Sequence, residues 1–399
     1  MPVHGDHVRA ARYLPALPLF RSVHVVTTTH SRTRSAVLAG RATPAGTSRF
    51  GARTGAKLAS DFLRPLSPLP NGVLVSSIGL GSYLGECDDA DDIRYADTAH
   101  HAIATGINLL DTAINYRCQR SERAFGKALS RAVRMETAAR DELVVCTKGG
   151  YIPFDGTPPA SREAYQEYVR RDYIDPGIAS ADEIVAGGHC LAPSFIADQL
   201  ARSRANLGVE TIDLYYLHNP EQQLDAVDAG ELERRICRAF ELLEERCAAG
   251  DIAAYGCATW NGLRTPPDAR GHLSLEMLMK CAHQSGGAGH HFRAVQLPIN
   301  LALNEAVRSR TQLIGDRPLT VLEAASELGL AVIASASLLQ AKLASKLPQQ
   351  MREALPGLST DAQRAIAFVR GLPVVTSALV GMRSAGHVRE NLGAARAER

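Results

Sequence analysis

Short apolar runs ending in a small or polar residue alternate with longer stretches in which apolar residues recur every three to four positions, from about residue 70 to the end. The runs at 74–81 (LVSSIGLG), 107–111 (INLLD), 143–150 (LVVCTKGG), 212–218 (IDLYYLH), 252–259 (IAAYGCAT), 294–300 (AVQLPIN), 330–337 (LAVIASAS) and 376–381 (TSALVG) read as buried strands. Helical spacing fills the gaps. Over 91–103, Ile93, Ala96, His100 and Ile103 recur, with Asp91 or Asp92 as a cap and Gly106 as the stop. Further helices are predicted over 121–133, from Ser194 through Ile196, Leu200 and Leu207, and over 272–284, 319–328, 360–371 and from Ser384. The clearest covers 231–249, with Leu232, Ile236, Phe240, Leu243 and Cys247 on one stripe and Gly250 behind it. Eight strands alternating with eight helices predict an α/β fold, a (β/α)8 TIM barrel in one domain. A doubly wound sheet has fewer strands, and no G-x-G-x-x-G follows the first one.

Two stretches break the alternation. Residues 149–193 are far longer than an ordinary βα loop of about 2–6 residues and are rich in tyrosine and proline, so a long insertion after strand 3 is expected to hang over the barrel's C-terminal face. Residues 1–60 carry nine Lys/Arg against one acid, Asp6, with Ser/Thr-rich patches such as VVTTTHSRTRS. Residues 1–66 are therefore expected to be a flexible N-terminal extension, a start placed too far upstream or a transit peptide, and 67–399 the barrel.

Polar residues at the strand ends carry the candidate chemistry. Asp111 closes the second run and Tyr116 follows five residues later; Lys148 and His218 close the third and fourth. Parallel strands share one C-terminal edge, where barrel enzymes build their active sites, so these four side chains can converge. Taken singly, each has a plainer reading as a turn residue, a rim aromatic or a solvated charge; the order and spacing of all four make the set specific.

Asp111-Thr112-Ala113 with Tyr116, Ser121-Glu122 and Gly126, and the Lys148 and His218 segments, resemble the aldo-keto reductase family, and the resemblance runs from about residue 70 to the end. It implies Tyr116 as general acid, Lys148 as the cation that lowers the phenol's pKa, Asp111 as the carboxylate that holds Lys148, and His218 as a hydrogen-bonding group that orients the substrate oxygen. It also implies a nicotinamide site at Asn261 and Gln296, a pyrophosphate loop at Ser337, Leu338 and Gln340, and an adenine-end motif at Gly381, Arg383, Ser384, His387, Glu390 and Asn391. Arg383 beside Ser384 at a helix start suits a 2′-phosphate, so NADPH is expected over NADH. The sequence departs from the pattern at Ala258-Thr259, where a serine is usual, at Ser337, where proline is usual, and at Arg117, where glycine is usual. Arg117 can narrow the pocket, bind an anionic substrate or point to solvent.

Composition narrows the partners. With 44 basic and 42 acidic side chains the net charge is +2, which gives no reason to expect nucleic acid or an acidic membrane. No apolar run approaches the ~18 residues of a membrane span. The eight cysteines are spread singly with no CxxC pair and no zinc spacing, so reduced thiols, a cytoplasmic setting and no metal are expected; Cys118, near Tyr116, is the one position open to a reactive thiol. A small carbonyl compound is the expected partner, and the sequence leaves the oligomeric state open. Two other functions fit parts of the chain: a Schiff-base aldolase using Lys148, and a nucleotide-binding regulatory subunit that keeps the fold with little turnover.

Overall fold

The structure, a computed structural model, describes residues 37–54, 58–66, 72–185 and 187–396. Eight parallel strands close into a barrel in chain order: β1 (Ile78–Gly81), β2 (Leu109–Asp111), β3 (Val144–Gly149), β4 (Leu214–His218), β5 (Tyr255–Ala258), β6 (Phe292–Pro298), β7 (Ala331–Ser335) and β8 (Val375–Gly381), which returns to pair with β1. Around them lie α1 (Asp89–Ala104), α2 (Arg120–Arg134), α3 (Pro193–Leu207), α4 (Ala229–Ala248), α5 (Leu275–Gly286), α6 (Val321–Glu327), α7 (Asp361–Arg370) and α8 (Ala385–Leu392). The alternation read in the sequence is thus the (β/α)8 barrel it predicts.

Capping chemistry sets the helix starts. Asp88, Asp228, Ser274, Thr320, Thr360 and Ser384 each accept a hydrogen bond from the backbone N–H three residues on. A cap of this kind contributes about 1 kcal/mol. The cap of α1 is therefore Asp88 rather than Asp91 or Asp92, both of which are buried in other contacts. Glycine is required where α2 meets α3, because a Cβ on Gly126 would lie 2.6 Å from the carbonyl oxygen of Asn206.

Alternation with period two sorts each strand between two cores. Leu109, Val144, Cys146, Leu214, Tyr216, Ala294 and Ile333 form the apolar filling of the barrel, while the intervening residues face the helices. Continuing the inward series toward the C-terminal end replaces apolar residues with polar ones: Val144, Cys146 and then Lys148; Leu214, Tyr216 and then His218; Leu109 and then Asp111.

The opposite end of the barrel differs from expectation. The run 74–81 is two strands broken at Ser77, since Leu74–Ser76 pairs antiparallel with Leu63–Pro65, and only the second half enters the barrel. Leu66 and Val75 from this hairpin join the interior core and cover its base. The described residues 37–54 and 58–66 are accordingly part of the compact unit rather than an extension, and the boundary expected at 66 is corrected. Helix Pro44–Thr54 buries Phe50, Arg53 bonds Glu142 at 2.6 Å, and the Ala42 N–H donates to Asp213 at 2.7 Å. Residues 1–36, on which the tail and transit-peptide readings fall, lie outside the described residues.

One further difference concerns the cysteines. Cys237 of α4 and Cys281 of α5 are joined by a disulfide at 2.20 Å, which corrects the expectation of eight separate thiols. The remaining six cysteines are free, with Cys146 and Cys257 packed in strands as expected. No described helix is long and apolar enough to cross a membrane.

Candidate active site

Strand register brings the inward polar side chains together at the C-terminal end of the barrel. Asp111 of β2 is level with Cys146 of β3, Lys148 of β3 with Tyr216 of β4, His218 of β4 with Ala258 of β5, and Ala258 with Gln296 of β6. Lys148, 1% exposed, donates through Nζ to Asp111 Oδ1 at 2.5 Å and to the Thr112 carbonyl at 2.7 Å. Gln296 Nε2 donates to the other carboxylate oxygen of Asp111 at 2.8 Å. Burial pushes the Asp111 carboxyl up, while the Lys148 charge and the two hydrogen bonds pull it down.

Tyr116 stands half-buried over this layer. The Lys148 ammonium lies 5.2 Å from its ring centroid, the His218 ring 5.7 Å edge-on and the Tyr83 ring 5.0 Å edge-on. Burial, then the Asp111 carboxylate and Tyr83, hold the phenol well above its ordinary pKa. Burial, then the charges of Lys148 and His189, hold His218 well below the usual histidine range, so its ring is neutral near pH 7. Its Nδ1 is buried with no partner among the described residues.

The insertion reaches the same place from its two ends. Tyr151 sits 5.2 Å edge-on to His218, with its hydroxyl held by Asn219 at 3.0 Å. His189 bonds the His218 carbonyl through Nε2 at 2.8 Å, and Gln223 donates to His189 Nδ1 at 2.7 Å, which makes Nε2 the protonated nitrogen. Burial lowers His189 to about 4. Between these ends Phe154, Tyr165, Tyr168, Tyr173 and Phe195 of α3 form a chain of ring contacts 5.3–5.9 Å apart.

The other expected residues divide. Ser337 is buried and Leu338 half-buried at the end of β7, where Ala336, Leu339, Gln340 and Ala341 all have positive φ. Such a left-handed run of non-glycine residues is costly and gathers at ligand sites. Gly381 faces open space, and Ser384 caps α8, while the exposed Arg383 bonds Asp91 at 2.5 Å. His387 is exposed, Glu390 half-buried and Asn391 buried. Asn261 lies in the turn after β5, where its side-chain oxygen accepts from Arg264 at 3.1 Å. The turn that holds it is organised instead by Glu221, whose Oε1 accepts from Thr259 Oγ1 at 2.6 Å and from the N–H groups of Trp260, Asn261 and Gly262.

Arg117 also resolves. Its side chain is 1% exposed and donates to the Glu86 and Asp88 carbonyls at 2.7 and 3.2 Å and to Asp92 at 2.6 Å. It does not point to solvent; it clamps the loop between β1 and α1. Tyr83, Tyr151, His189, Gln223 and Glu221 were not singled out by sequence reasoning. Tyr151 and Glu221 each lie three residues beyond a polar strand end and were within reach of the same rule, whereas His189 and Gln223 carry no local signal.

A profile of the Aldo/keto reductase family matches residues 77–276. Among curated proteins, the chain is 29% identical over 160 residues to the D-threo-aldose 1-dehydrogenase of a Pseudomonas species, covering 38% of this chain and 39% of that protein. It is 29% identical over 154 residues to the 6-dehydroglucose reductase of Novosphingobium aromaticivorans, covering 38% and 40%. The matches thus span about two fifths of these relatives. Among solved structures, an aldo-keto reductase from Klebsiella pneumoniae in complex with NADPH superposes with a TM-score of 0.54 at 20% identity, over 85% of this chain and 89% of that one, a likeness of fold.

Proposed function

The chain belongs to the aldo-keto reductase family, and on that premise we propose that it is an NADPH-dependent oxidoreductase interconverting a sugar carbonyl and the corresponding alcohol. The observation that carries the reading is the buried Lys148–Asp111–Gln296 layer beneath Tyr116 and the neutral His218. The names of the two curated relatives, both acting on monosaccharides, support the sugar substrate.

NADPH, when bound, supplies the hydride. The donor set suits it: an exposed Arg383 beside the Ser384-capped start of α8 presents a cation and a helix N-terminus to phosphate, and Gln296 lies in the inward layer. Tyr116, held protonated, gives its phenolic proton to the carbonyl oxygen as charge grows there. His218 directs that oxygen, and Lys148 stabilises the phenolate left on Tyr116 from below the ring. Asp111 and the Thr112 carbonyl keep the ammonium in place, which also withholds the free amine a Schiff base needs.

The test is NADPH absorbance with a panel of aldoses, oxidised sugars, aldehydes and ketones, for wild type and Tyr116→Phe. Loss of one hydroxyl should lower kcat by about 10²-fold or more with NADPH still bound. Unchanged rates in Tyr116→Phe, or a borohydride-trapped adduct on Lys148, would overturn the assignment.

A further inference from the structure

Beside the polar layer lies a group of residues that the reductase chemistry does not use. The residues after Tyr116, namely Arg117, Cys118 and Gln119, form a left-handed turn with φ of 48, 55 and 67°. Arg117 reaches from that turn to the carbonyls of Glu86 and Asp88, on either side of Cys87. The clamp leaves the Cys87 and Cys118 sulfurs 3.5 Å apart, with Cys87 half-buried and Cys118 buried. Among the described residues no other free cysteine is hydrogen-bonded to a second sulfur; Cys146, Cys190 and Cys257 are buried and Cys247 is half-buried.

We propose that Cys87 and Cys118 are a peroxide-oxidisable dithiol whose disulfide staples the loop between β1 and α1 to the turn that carries Tyr116. A disulfide bond is about 2.05 Å long, so the sulfurs must close by about 1.5 Å to form one. The environment selects the attacking sulfur. The hydrogen-bonding contact with Cys118 lowers the Cys87 thiol against the cost of its burial, the guanidinium groups of Arg117 and Arg120 lower it further, and it comes to about 7. The same contact, together with burial, raises Cys118.

The chemistry balances with a hydroperoxide as oxidant. The Cys87 thiolate attacks one peroxide oxygen, an S–O bond forms as O–O breaks, and hydroxide leaves, giving a sulfenic acid. Cys118 then attacks the Cys87 sulfur; S–S forms, S–O breaks, and water leaves with the thiol proton. Two electrons pass from sulfur to oxygen, and two thiols and one hydrogen peroxide give one disulfide and two waters. A dithiol reductant reverses the step. Tyr83, in the stapled loop, lies edge-on to Tyr116, and the Cys118 carbonyl accepts from Gly156 of the insertion at 3.0 Å, so the bridge lies where the loop, the Tyr116 turn and the insertion meet.

The test reads covalent state rather than turnover, so it stands apart from the proposed reductase activity. The full chain, purified reduced at its free thiols, is treated with one equivalent of hydrogen peroxide, alkylated, digested and mapped by mass spectrometry. A linked Cys87–Cys118 peptide that disappears with dithiothreitol is expected. In Cys118→Ser the sulfenic acid has no resolving thiol, so dimedone should label Cys87 in that variant and not in oxidised wild type. Absence of the linked peptide, with both residues alkylated as free thiols, would overturn the proposal. So would dimedone labelling of Cys87 in Cys118→Ser no greater than that of buried Cys257.

Discussion

Replacing Asp111 with asparagine tests how the polar layer is held. The carboxylate offers two oxygens and one negative charge, and the structure uses all three: Oδ1 accepts from Lys148 at 2.5 Å, Oδ2 from Gln296 at 2.8 Å, and the charge offsets an ammonium that is 1% exposed. An amide has one acceptor and no charge. One of the two donors loses its acceptor, at about 1–3 kcal/mol, and the ammonium is left buried without a counter-ion. Removing one member of a buried pair costs about 3–5 kcal/mol in all. Asp111→Asn should therefore lose about that much stability in urea unfolding followed by circular dichroism. The double variant Asp111→Asn/Lys148→Met, which also removes the stranded charge, should regain more than half of it. A loss below about 1 kcal/mol for the single variant, the range of an exposed ion pair, would refute the description of a desolvated pair. Additive losses in the double variant would do the same.

Arg383→Ala should weaken NADPH binding by about 10- to 150-fold and NADH little, by fluorescence titration; equal losses would remove the 2′-phosphate argument. Asp91 is pushed up by burial, but the Glu86 N–H and the Arg383 and Arg94 guanidiniums outweigh this and bring it to about 2 from an ordinary 3.8. A depressed carboxyl stabilises the fold above its unfolded pKa and loses that contribution as protons return. The Tm gap between wild type and Asp91→Asn should then be full near neutral pH and shrink as pH falls from about 4 toward 2, whereas a gap independent of pH would contradict the linkage. Tyr151→Ala should raise KM for the carbonyl substrate severalfold with NADPH affinity preserved, and a loss confined to NADPH affinity would move the insertion to the cofactor side.

What could be read before folding was whatever obeys a period. Lys148 and His218 were legible because each ends an apolar run and continues its strand's inward series, and the barrel followed from repeating that pattern eight times. The break at Ser77 was not legible: both halves of 74–81 are apolar, and only the pairing of Leu74–Ser76 with Leu63–Pro65 separates them. Arg117 gave no hint of its direction, because the clamp depends on carbonyls some thirty residues upstream and on a left-handed turn that no glycine announces. The Cys237–Cys281 bridge joins two helices across 44 residues, a separation that carries no spacing signal. Asn261 matched in register, yet a carboxylate from a different loop, Glu221, decides how its turn is arranged.

The insertion after β3 is fastened to the chemistry it covers. His189, near its far end, bonds the backbone of His218, and Gln223 from the next loop fixes the tautomer with which it does so. The segment cannot swing clear as a free flap without releasing the carbonyl that positions His218. Anyone grafting this lobe onto another barrel to transplant a substrate preference must carry His189 and Gln223 with it, as the graft otherwise removes a brace from the host's own histidine.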